Sequence, residues 1–276
     1  MKCASFITRP KPIILLAPYE TLKIFACIPP PVRPAGQRIT RSLTVAFALL
    51  LAGVAGAQPV PIPDPNLEAV LREAVAKPDG ELTVPDLLAL TSLDAPGRGI
   101  VDTTGLEAAG NLVELNLNDN PVTNYSGVAG LTRLRRLLFD NAGIQDLSFL
   151  ADLEDLTSLE IYGNAIQDIS PLGALAGLQS LQLDWNPVTN HWPLTNLMQL
   201  ERVSLAGNGV TNLDFTQFMP ALRHLGLYCD QVKDLSPLAG RTELLSLGLG
   251  WNGVTNLAVL ATLTGLEELL LNGNPL

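Results

Sequence analysis

The stretch LTSLEIYGNAIQDISPLGALAG, residues 156–177, is one unit of a repeat that runs through most of the chain. Its first leucine recurs every 22 residues without insertion or deletion, at Leu90, Leu112, Leu134, Leu156, Leu178, Leu200, Leu222, Leu244 and Leu266. A fixed period of this length is typical of a solenoid, in which each coil buries its apolar face against its neighbours. The sequence therefore predicts one elongated domain over residues 90–276, with nine units of which the last is incomplete.

The apolar positions of the unit predict its local structure. Counted from the first leucine, they are positions 1, 4, 6, 11, 14, 17 and 20. The alternation predicts a short strand over positions 3–7 with positions 4 and 6 pointing inward. We expect these strands to pair in parallel, about 4.8 Å apart, into one curved sheet. Positions 3, 5, 7 and 8 then line the concave face of an α/β solenoid.

Position 9 of the unit forms a ladder of asparagines. A side-chain amide at a turn can bond backbone groups of its own coil and of the adjacent coil. The sequence therefore predicts a structural role for Asn120, Asn164, Asn186, Asn208, Asn252 and Asn274. Arg98, Ala142 and Asp230 replace asparagine in the other units, so we expect altered turns there.

Position 13 is Asp or Asn in eight units, which are Asp102, Asn124, Asp146, Asp168, Asn190, Asn212, Asp234 and Asn256. These side chains favour turns because they bond nearby backbone amides. A calcium array is the alternative, but one oxygen ligand per coil falls short of the six to eight that calcium takes. We therefore predict turn formation, with no metal and no cofactor.

Residues 58–89 are predicted to form a linker and a helical N-terminal cap. Asp64 is a predicted N-cap, Pro65 lies in the first turn, and an apolar helical pattern follows. A second short helix is predicted from Thr83 to Leu88. The end coil of a solenoid needs such a cover because its apolar face would otherwise meet water.

Residues 1–57 differ in composition from the repeats. Arg38 and Arg41 precede an apolar run that ends in Ala-Gly-Ala at residues 55–57, the pattern of a secretory signal peptide. The run is shorter than the roughly 20 residues that span a bilayer. We predict a signal peptide over residues 38–57, cleaved near Ala57, and a secreted, periplasmic or cell-surface product without stable membrane insertion. Met1 lies far upstream, which suggests a later start that leaves residues 1–37 untranslated.

The charge of the remaining chain argues against a nucleic-acid partner. The whole sequence holds 17 basic and 27 acidic residues, of which residues 58–276 hold ten and 26. Phosphate contacts need clustered Lys and Arg, which the repeats lack.

Cleavage after Ala57 would leave Cys229 as the only cysteine and so exclude an internal disulfide.

These residues resemble the leucine-rich repeat family, in particular the 22-residue class found in internalins and related secreted bacterial proteins. The motif LxxLxLxxNxIxDISPLxxL is matched over residues 156–175, and residues 63–68 and 82–87 resemble the caps of such proteins. The resemblance implies a binding scaffold, some members of which recognise host surface proteins. The given sequence shows no immunoglobulin-like domain or sorting motif after the repeats, so host adhesion is one option among several.

The predicted concave face carries the candidate binding site. Aromatic residues and Arg are enriched at binding hot spots. Trp185 and Trp251 are three coils apart, about 14 Å at the strand spacing. The candidate residues are Arg136, Asp140, Glu160, Tyr162, Asp184, Trp185, Arg202, His224, Tyr228 and Trp251.

Four further sequence features give weaker evidence about function. Gly248-Leu249-Gly250-Trp251-Asn252-Gly253 spells the dinucleotide fingerprint, but the repeat places no crossover helix after it. His191 replaces an apolar residue at position 14 and is expected to be half buried. Arg241 replaces the core leucine at position 20, so its side chain swings outward or the coil is weak. His224 lacks the partners of a catalytic site, and we predict no enzyme.

Three functions stay open from sequence alone. The first is a secreted module that binds a protein or extended peptide on its concave face. The second is a glycan or cell-wall binder that stacks sugars on the same aromatic residues, and the third is a structural module of a truncated larger surface protein. The last coil presents a strand edge and apolar side chains, so we also predict self-association there.

Overall fold

The repeats form one parallel sheet of nine strands in sequence order. The computed structural model describes residues 58–276, so the predicted signal peptide lies outside the described residues. Each strand pairs with the next in the register of the 22-residue repeat, as in Leu159 opposite Leu181. The strands are β1 (Ser92–Asp94), β2 (Glu114–Asn116), β3 (Arg136–Leu138), β4 (Ser158–Glu160), β5 (Ser180–Gln182), β6 (Arg202–Ser204), β7 (His224–Gly226), β8 (Ser246–Gly248) and β9 (Glu268–Leu270). The predicted α/β solenoid is thus confirmed.

The opposite side of the solenoid consists of short helical turns. Within residues 58–276 there are three α-helices: α1 (Pro65–Ala74) and α2 (Val84–Leu88) in the N-terminal cap, and α3 (Ser126–Ala129) in the second coil. The same residues contain seven 3₁₀ helices that follow strands: Leu106–Ala108, Ser148–Leu150, Ser170–Ala174, Trp192–Asn196, Asp214–Phe218, Ser236–Leu238 and Ala258–Thr262. The position-13 side chain opens each turn; Asp168 Oδ1, for example, accepts the Ser170 amide at 2.8 Å. The oxygens of this ladder therefore serve the backbone.

The strands are three residues long, shorter than the predicted positions 3–7. Hydrogen bonds between coils nevertheless continue to position 8; the amide of Ile161 donates to Gln182 and that of Gly163 to Asp184, both at 2.9 Å. The chain leaves the extended conformation because position 8 adopts a positive φ in all nine coils. The turn that follows carries the asparagine ladder.

Each asparagine of the ladder joins its coil to the one before it. The Asn164 amide nitrogen donates to the carbonyls of Phe139 at 2.9 Å and Ile161 at 3.1 Å. Its oxygen accepts the amides of Ala142 and Ile144, both at 3.0 Å. Since buried backbone groups need such partners, each asparagine satisfies groups that no neighbouring strand can reach.

A continuous apolar core fills the space between the sheet and the helical turns. The inward residues of the fourth coil, including Leu159, Ile161, Ile166 and Leu172, are fully buried. The corresponding residues of the last coil, Leu266, Leu269 and Leu271, are partly buried. Self-association at this end stays a prediction.

One carboxylate ties the N-terminal cap to the first coil. Asp64 Oδ1 accepts the amides of Asn66 at 2.8 Å and Leu67 at 3.0 Å and so caps α1. Its Oδ2 accepts the amides of Val101 at 2.7 Å and Asp102 at 3.0 Å. The same residue therefore starts the helix and fixes its orientation on the repeats.

One sequence interpretation needs correction. The Arg241 side chain is half buried, and its guanidinium donates to the carbonyls of Thr216 and Met219 in the preceding coil. It neither points outward nor leaves the coil without contacts. Cys229 is disulfide-bonded. The absence of an internal disulfide was predicted for a chain cleaved after Ala57 and stays a prediction.

Candidate functional site

The outward residues of the strands form a charged and polar face. Arg136 on β3 and Glu160 on β4 are joined by an ion pair of 2.8 Å between adjacent coils. This pair is solvent-exposed and contributes little to stability. The two predicted residues are thus next to each other, and their charges are partly neutralised on the face.

Arg202 and His224 are register partners on β6 and β7. Arg202 is exposed and forms no ion pair within residues 58–276. Burial of His224, together with the positive charge of Arg202, lowers the pKa of this imidazole below its usual value. The pair therefore presents one unneutralised cation next to a neutral ring.

Two of the predicted acidic residues bond the backbone rather than face solvent. Asp140 Oδ1 accepts the amide of Tyr162, and Asp184 Oδ1 accepts the amide of Ala206, each at 2.7 Å. Both carboxylates are half buried, and burial raises the pKa of each. Each carboxylate thus fixes the backbone at position 7 of the next coil, which is Tyr162 for Asp140 and Ala206 for Asp184.

The aromatic edge of the concave face consists of Trp185, Tyr228 and Trp251. Trp185 and Trp251 lie at position 8 with φ values of 56° and 57°. A bulky residue with positive φ is a genuine outlier, because its Cβ crowds the following carbonyl. Four other coils have glycine at this position. The two tryptophans therefore occupy sites where the backbone favours glycine.

Each aromatic ring of this edge lies on a glycine of the next coil. A Cβ on Gly207 would lie 2.7–3.0 Å from three ring atoms of Trp185, and one on Gly273 would lie 2.7–3.1 Å from three of Trp251. Tyr228 covers Gly250 in the same way. One face of each indole is thus supported by backbone, while 39% of Trp185 and 53% of Trp251 stay exposed. This contact limits the positions that each ring can adopt.

The sequence contained a signal for this arrangement. Glycine at position 8 in four coils indicates a left-handed backbone, and Trp185 and Trp251 each precede one of those coils. The periodicity showed only that position 8 faces outward. The conformation had to be read from the glycines.

A second exposed aromatic pair, which the sequence analysis did not select, lies on the helical side. Trp192 and Phe218 are each 53% exposed, and their ring centroids are 5.7 Å apart. Beside them, His191 is half buried as expected and stacks on Phe215 at 5.6 Å. The sequence indicated this pair through Trp192, which occupies position 15, where most coils have Ser or Thr. This pair faces away from the sheet.

The described residues contain no helix that is both long and apolar enough to cross a membrane. Within residues 58–276, no group of three or more His, Cys, Asp or Glu side chains has an arrangement that could hold a metal ion. The glycines at positions 248, 250 and 253 belong to β8 and its turn.

Comparison with known proteins shows which solved structures share this architecture. No family model and no curated protein matches the sequence. Among solved structures, internalin C2 of Listeria monocytogenes is 29% identical with a TM-score of 0.75, over 79% of this chain and 98% of that one. Internalin InlF of the same species is 25% identical with a TM-score of 0.53, over 79% of this chain and 85% of that one.

A leucine-rich repeat protein of Leptospira interrogans shares the fold, with 21% identity and a TM-score of 0.59 over 69% of this chain and 57% of that one. The repeat period, the single parallel sheet and these structures agree with one another. The chain thus has the leucine-rich repeat fold and is similar to the internalins.

Proposed function

We propose that this protein is an exported binding module that holds a protein or extended peptide against the aromatic edge of its concave face. The observation that carries the proposal is the left-handed backbone of Trp185 and Trp251. Each tryptophan there costs roughly 1–2 kcal/mol relative to a residue that suits this conformation. Strain retained at exposed residues is typical of functional sites.

The neighbouring residues suit a protein interface. Tyr228 and Trp251 provide large rings that lose little entropy on binding, because glycines already support them. Arg202 adds a cation without an ion-pair partner among the described residues. Aromatic residues and Arg dominate the energies of most protein interfaces. Asp140 and Asp184 contribute by fixing the turns rather than by direct contact.

Export is part of the same proposal. The apolar run before Ala55-Gly56-Ala57 supports secretion, because it has the pattern of a signal peptide with a small-residue cleavage site. N-terminal sequencing of protein collected outside the cell would test it. A terminus at residue 58 is expected, and a terminus upstream of residue 38 would contradict cleavage by this signal.

A glycan ligand is the second candidate, because each indole presents its uncovered face to solvent. Flat aromatic faces of this kind can stack on sugar rings as well as on peptide side chains. Asn272, whose side-chain amide donates to the Tyr228 hydroxyl at 3.4 Å, offers a neutral hydrogen-bonding group beside these rings. Host adhesion would be a special case of either ligand class.

The test compares binding of three forms of the purified protein to arrays of surface proteins, peptides and peptidoglycan fragments. The Trp185→Gly, Trp251→Gly double variant removes both rings and leaves residues that the backbone favours. Trp192→Ser is the matched control, since it removes a tryptophan from the helical side. We expect the double variant to lose at least tenfold in affinity and the control to bind like wild type. Equal binding by all three would overturn the proposal.

Two further variants separate protein from glycan ligands. Arg136→Ala and Arg202→Ala remove charges at the strand starts without touching the aromatic edge. Binding of a protein ligand to wild type should weaken with added salt, and Arg202→Ala should lose affinity together with part of that salt dependence. A neutral glycan should be insensitive to both changes.

A further inference from the structure

The asparagine ladder is interrupted by a buried acid. Position 9 of the seventh coil is Asp230, which is 7% exposed. In the fifth coil, the Asn186 amide nitrogen donates to the carbonyls of Ile161 at 2.9 Å and Leu183 at 3.0 Å. An ionised carboxylate cannot donate. The ladder therefore changes its chemistry at this coil.

One oxygen of Asp230 lacks a partner. Its Oδ1 accepts the amide of Val210 at 3.0 Å, as the asparagine oxygens do in other coils. Its Oδ2 is buried without a hydrogen bond among the described residues. By the repeat, Oδ2 occupies the place of an amide nitrogen that would face the carbonyls of Leu205 and Leu227. Only a protonated carboxyl can donate to these acceptors.

The groups around Asp230 connect it to the aromatic edge. The turn over residues 206–210 is held on one side by Asp184, which accepts the Ala206 amide, and on the other by Asp230. This turn contains Gly207, on which the Trp185 ring lies. Tyr228, another residue of the edge, is two residues before Asp230. Asp230 therefore borders the backbone that supports the Trp185 ring and the backbone that carries Tyr228.

We propose that Asp230 is a proton-dependent latch: its protonated carboxyl holds the sixth and seventh coils together beneath Trp185 and Tyr228, and ionisation loosens this part of the aromatic edge. The role of the latch in regulating ligand binding rests on the proposed function. Its effect on the turn does not.

The electrostatic environment supports ionisation near neutral pH. Burial raises the pKa of Asp230 to about 7, and the negative charge of Asp184 adds to this effect. The backbone amides of Val210, Gly209 and Asn208 act in the opposite direction. Asp184, whose own pKa burial raises, is the titratable group of the described chain that acts on Asp230.

The sign of the pH dependence follows. The folded state holds the Asp230 proton up to about pH 7, whereas an unfolded Asp releases it near its ordinary pKa of 3.8. The contribution to stability is therefore complete below that ordinary pKa and is lost as the pH rises to about 7. Above about pH 7, Asp230 is ionised in both the folded and the unfolded state, so the loss of stability no longer changes with pH.

The experiment measures the full chain and needs no ligand. Thermal unfolding and tryptophan fluorescence are recorded from about pH 5 to about pH 8.5 for wild type and Asp230→Asn, with the exposed Asp119→Asn as control. We expect the Tm of wild type to fall by several degrees relative to Asp230→Asn as the pH rises, and Asp119→Asn to follow wild type. A fluorescence transition near pH 7 should be absent from Asp230→Asn and from Trp185→Gly.

Parallel Tm curves for wild type and Asp230→Asn would overturn the latch. So would a carboxyl ¹³C shift of Asp230 that titrates below about pH 5, or a Tm difference without a fluorescence transition. If the transition is present but no protein, peptide or peptidoglycan probe binds at any pH, the proposed function fails and the latch stands. Probe binding that weakens above about pH 7 in wild type alone supports both.

Discussion

The indole of Trp185 covers Gly207 of the next coil, and a Cβ on that glycine would lie 2.7 Å from the ring. Both residues occupy position 8 of their units, and both have positive φ values, 56° for Trp185 and 70° for Gly207. The repeat therefore pairs a strained aromatic residue with the one residue type that leaves room for its ring. Trp251 and Gly273 repeat the arrangement.

At residue 185, a glycine variant should be more stable than an alanine variant, which reverses the usual order of stability. Alanine keeps the left-handed backbone and loses the ring, whereas glycine relieves the backbone. We expect Trp185→Gly to be more stable than Trp185→Ala by about 1 kcal/mol. Urea unfolding of the two variants would measure this. An alanine variant at least as stable as the glycine variant would contradict a strained backbone at this residue.

Reverse substitution of Gly207 should disturb the aromatic edge. Gly207→Ala adds a methyl group against the Trp185 ring and leaves a left-handed alanine. We expect roughly 1–3 kcal/mol of destabilisation and a shift in Trp185 fluorescence. Gly143→Ala is the control, because Gly143 has a similar φ of 71° and open space around it. It should lose stability without the spectral shift.

Asp64 should be indispensable for docking the cap. Asp64→Ala leaves the Val101 and Asp102 amides without their acceptor and removes the helix cap, at a cost of about 2–4 kcal/mol. Asp64→Asn can still cap α1, but its amide nitrogen faces two donors. We therefore expect both variants to lose protection of the cap in hydrogen exchange. If Asp64→Asn matches wild type, the link to the first coil is unimportant.

The same carboxylate predicts acid sensitivity. Burial raises the pKa of Asp64, but its four backbone donors outweigh burial, and the pKa lies below the ordinary value of 3.8. Its contribution to stability is thus complete above that value and is lost as the pH falls through the lower folded pKa. The stability difference between wild type and Asp64→Ala, measured by urea unfolding, should shrink between about pH 5 and pH 2. A constant difference would argue against this account.

Gly127 should tolerate no side chain. A Cβ there would overlap the carbonyl oxygen of Thr103 in the preceding coil. We expect Gly127→Ala to cost about 3 kcal/mol, at the upper end for overpacking. Gly173→Ala is the matched control, since its Cβ would meet only the Asn196 side chain at 3.4 Å. Thermal unfolding of the two variants should separate them, and equal Tm values would show that the coils can move apart at no cost.

Arg241 should be replaceable by the leucine of the other coils. Its half-buried guanidinium lacks an acidic partner in the described chain, and burial lowers its pKa. The carbonyls it bonds also accept backbone amides, Thr216 from Met219 and Met219 from Leu222. We expect Arg241→Leu to be roughly 1 kcal/mol more stable than wild type, and Arg241→Ala to be less stable. Denaturant midpoints give both values, and a marked loss in the leucine variant would assign Arg241 a specific role.

The sequence predicted the architecture well because the repeat constrains it many times over. Nine units with one spacing leave a single register, and one slipped residue would expose the apolar side of every strand. The strand limits were less predictable. They depend on where φ becomes positive, which alternation of apolar residues does not report. Cys229, with a φ of 58°, shows that residue type alone is a weak guide to that conformation.

The candidate site was predictable in outline and less so in detail. Periodicity placed Trp185, Trp251 and Arg202 on the outward side, since outward positions follow from the strand pattern. It also selected Asp140 and Asp184 as surface groups, although both bond the backbone of the next coil. Position in the unit says which way a side chain points. It does not say which backbone amide lies within reach.

The sequence by itself determined the coil, its period, the inward residues and the position of the cap, because each rests on a local pattern repeated along the chain. Only the tertiary structure decided which rings have backbone support, which carboxylates bond amides and which buried oxygens of the described residues lack a partner. Those properties belong to contacts between coils, 22 residues apart in sequence and about 4.8 Å apart in space. The Asp230 oxygen is the clearest case: its chemistry is set by carbonyls that asparagine would satisfy in the same place.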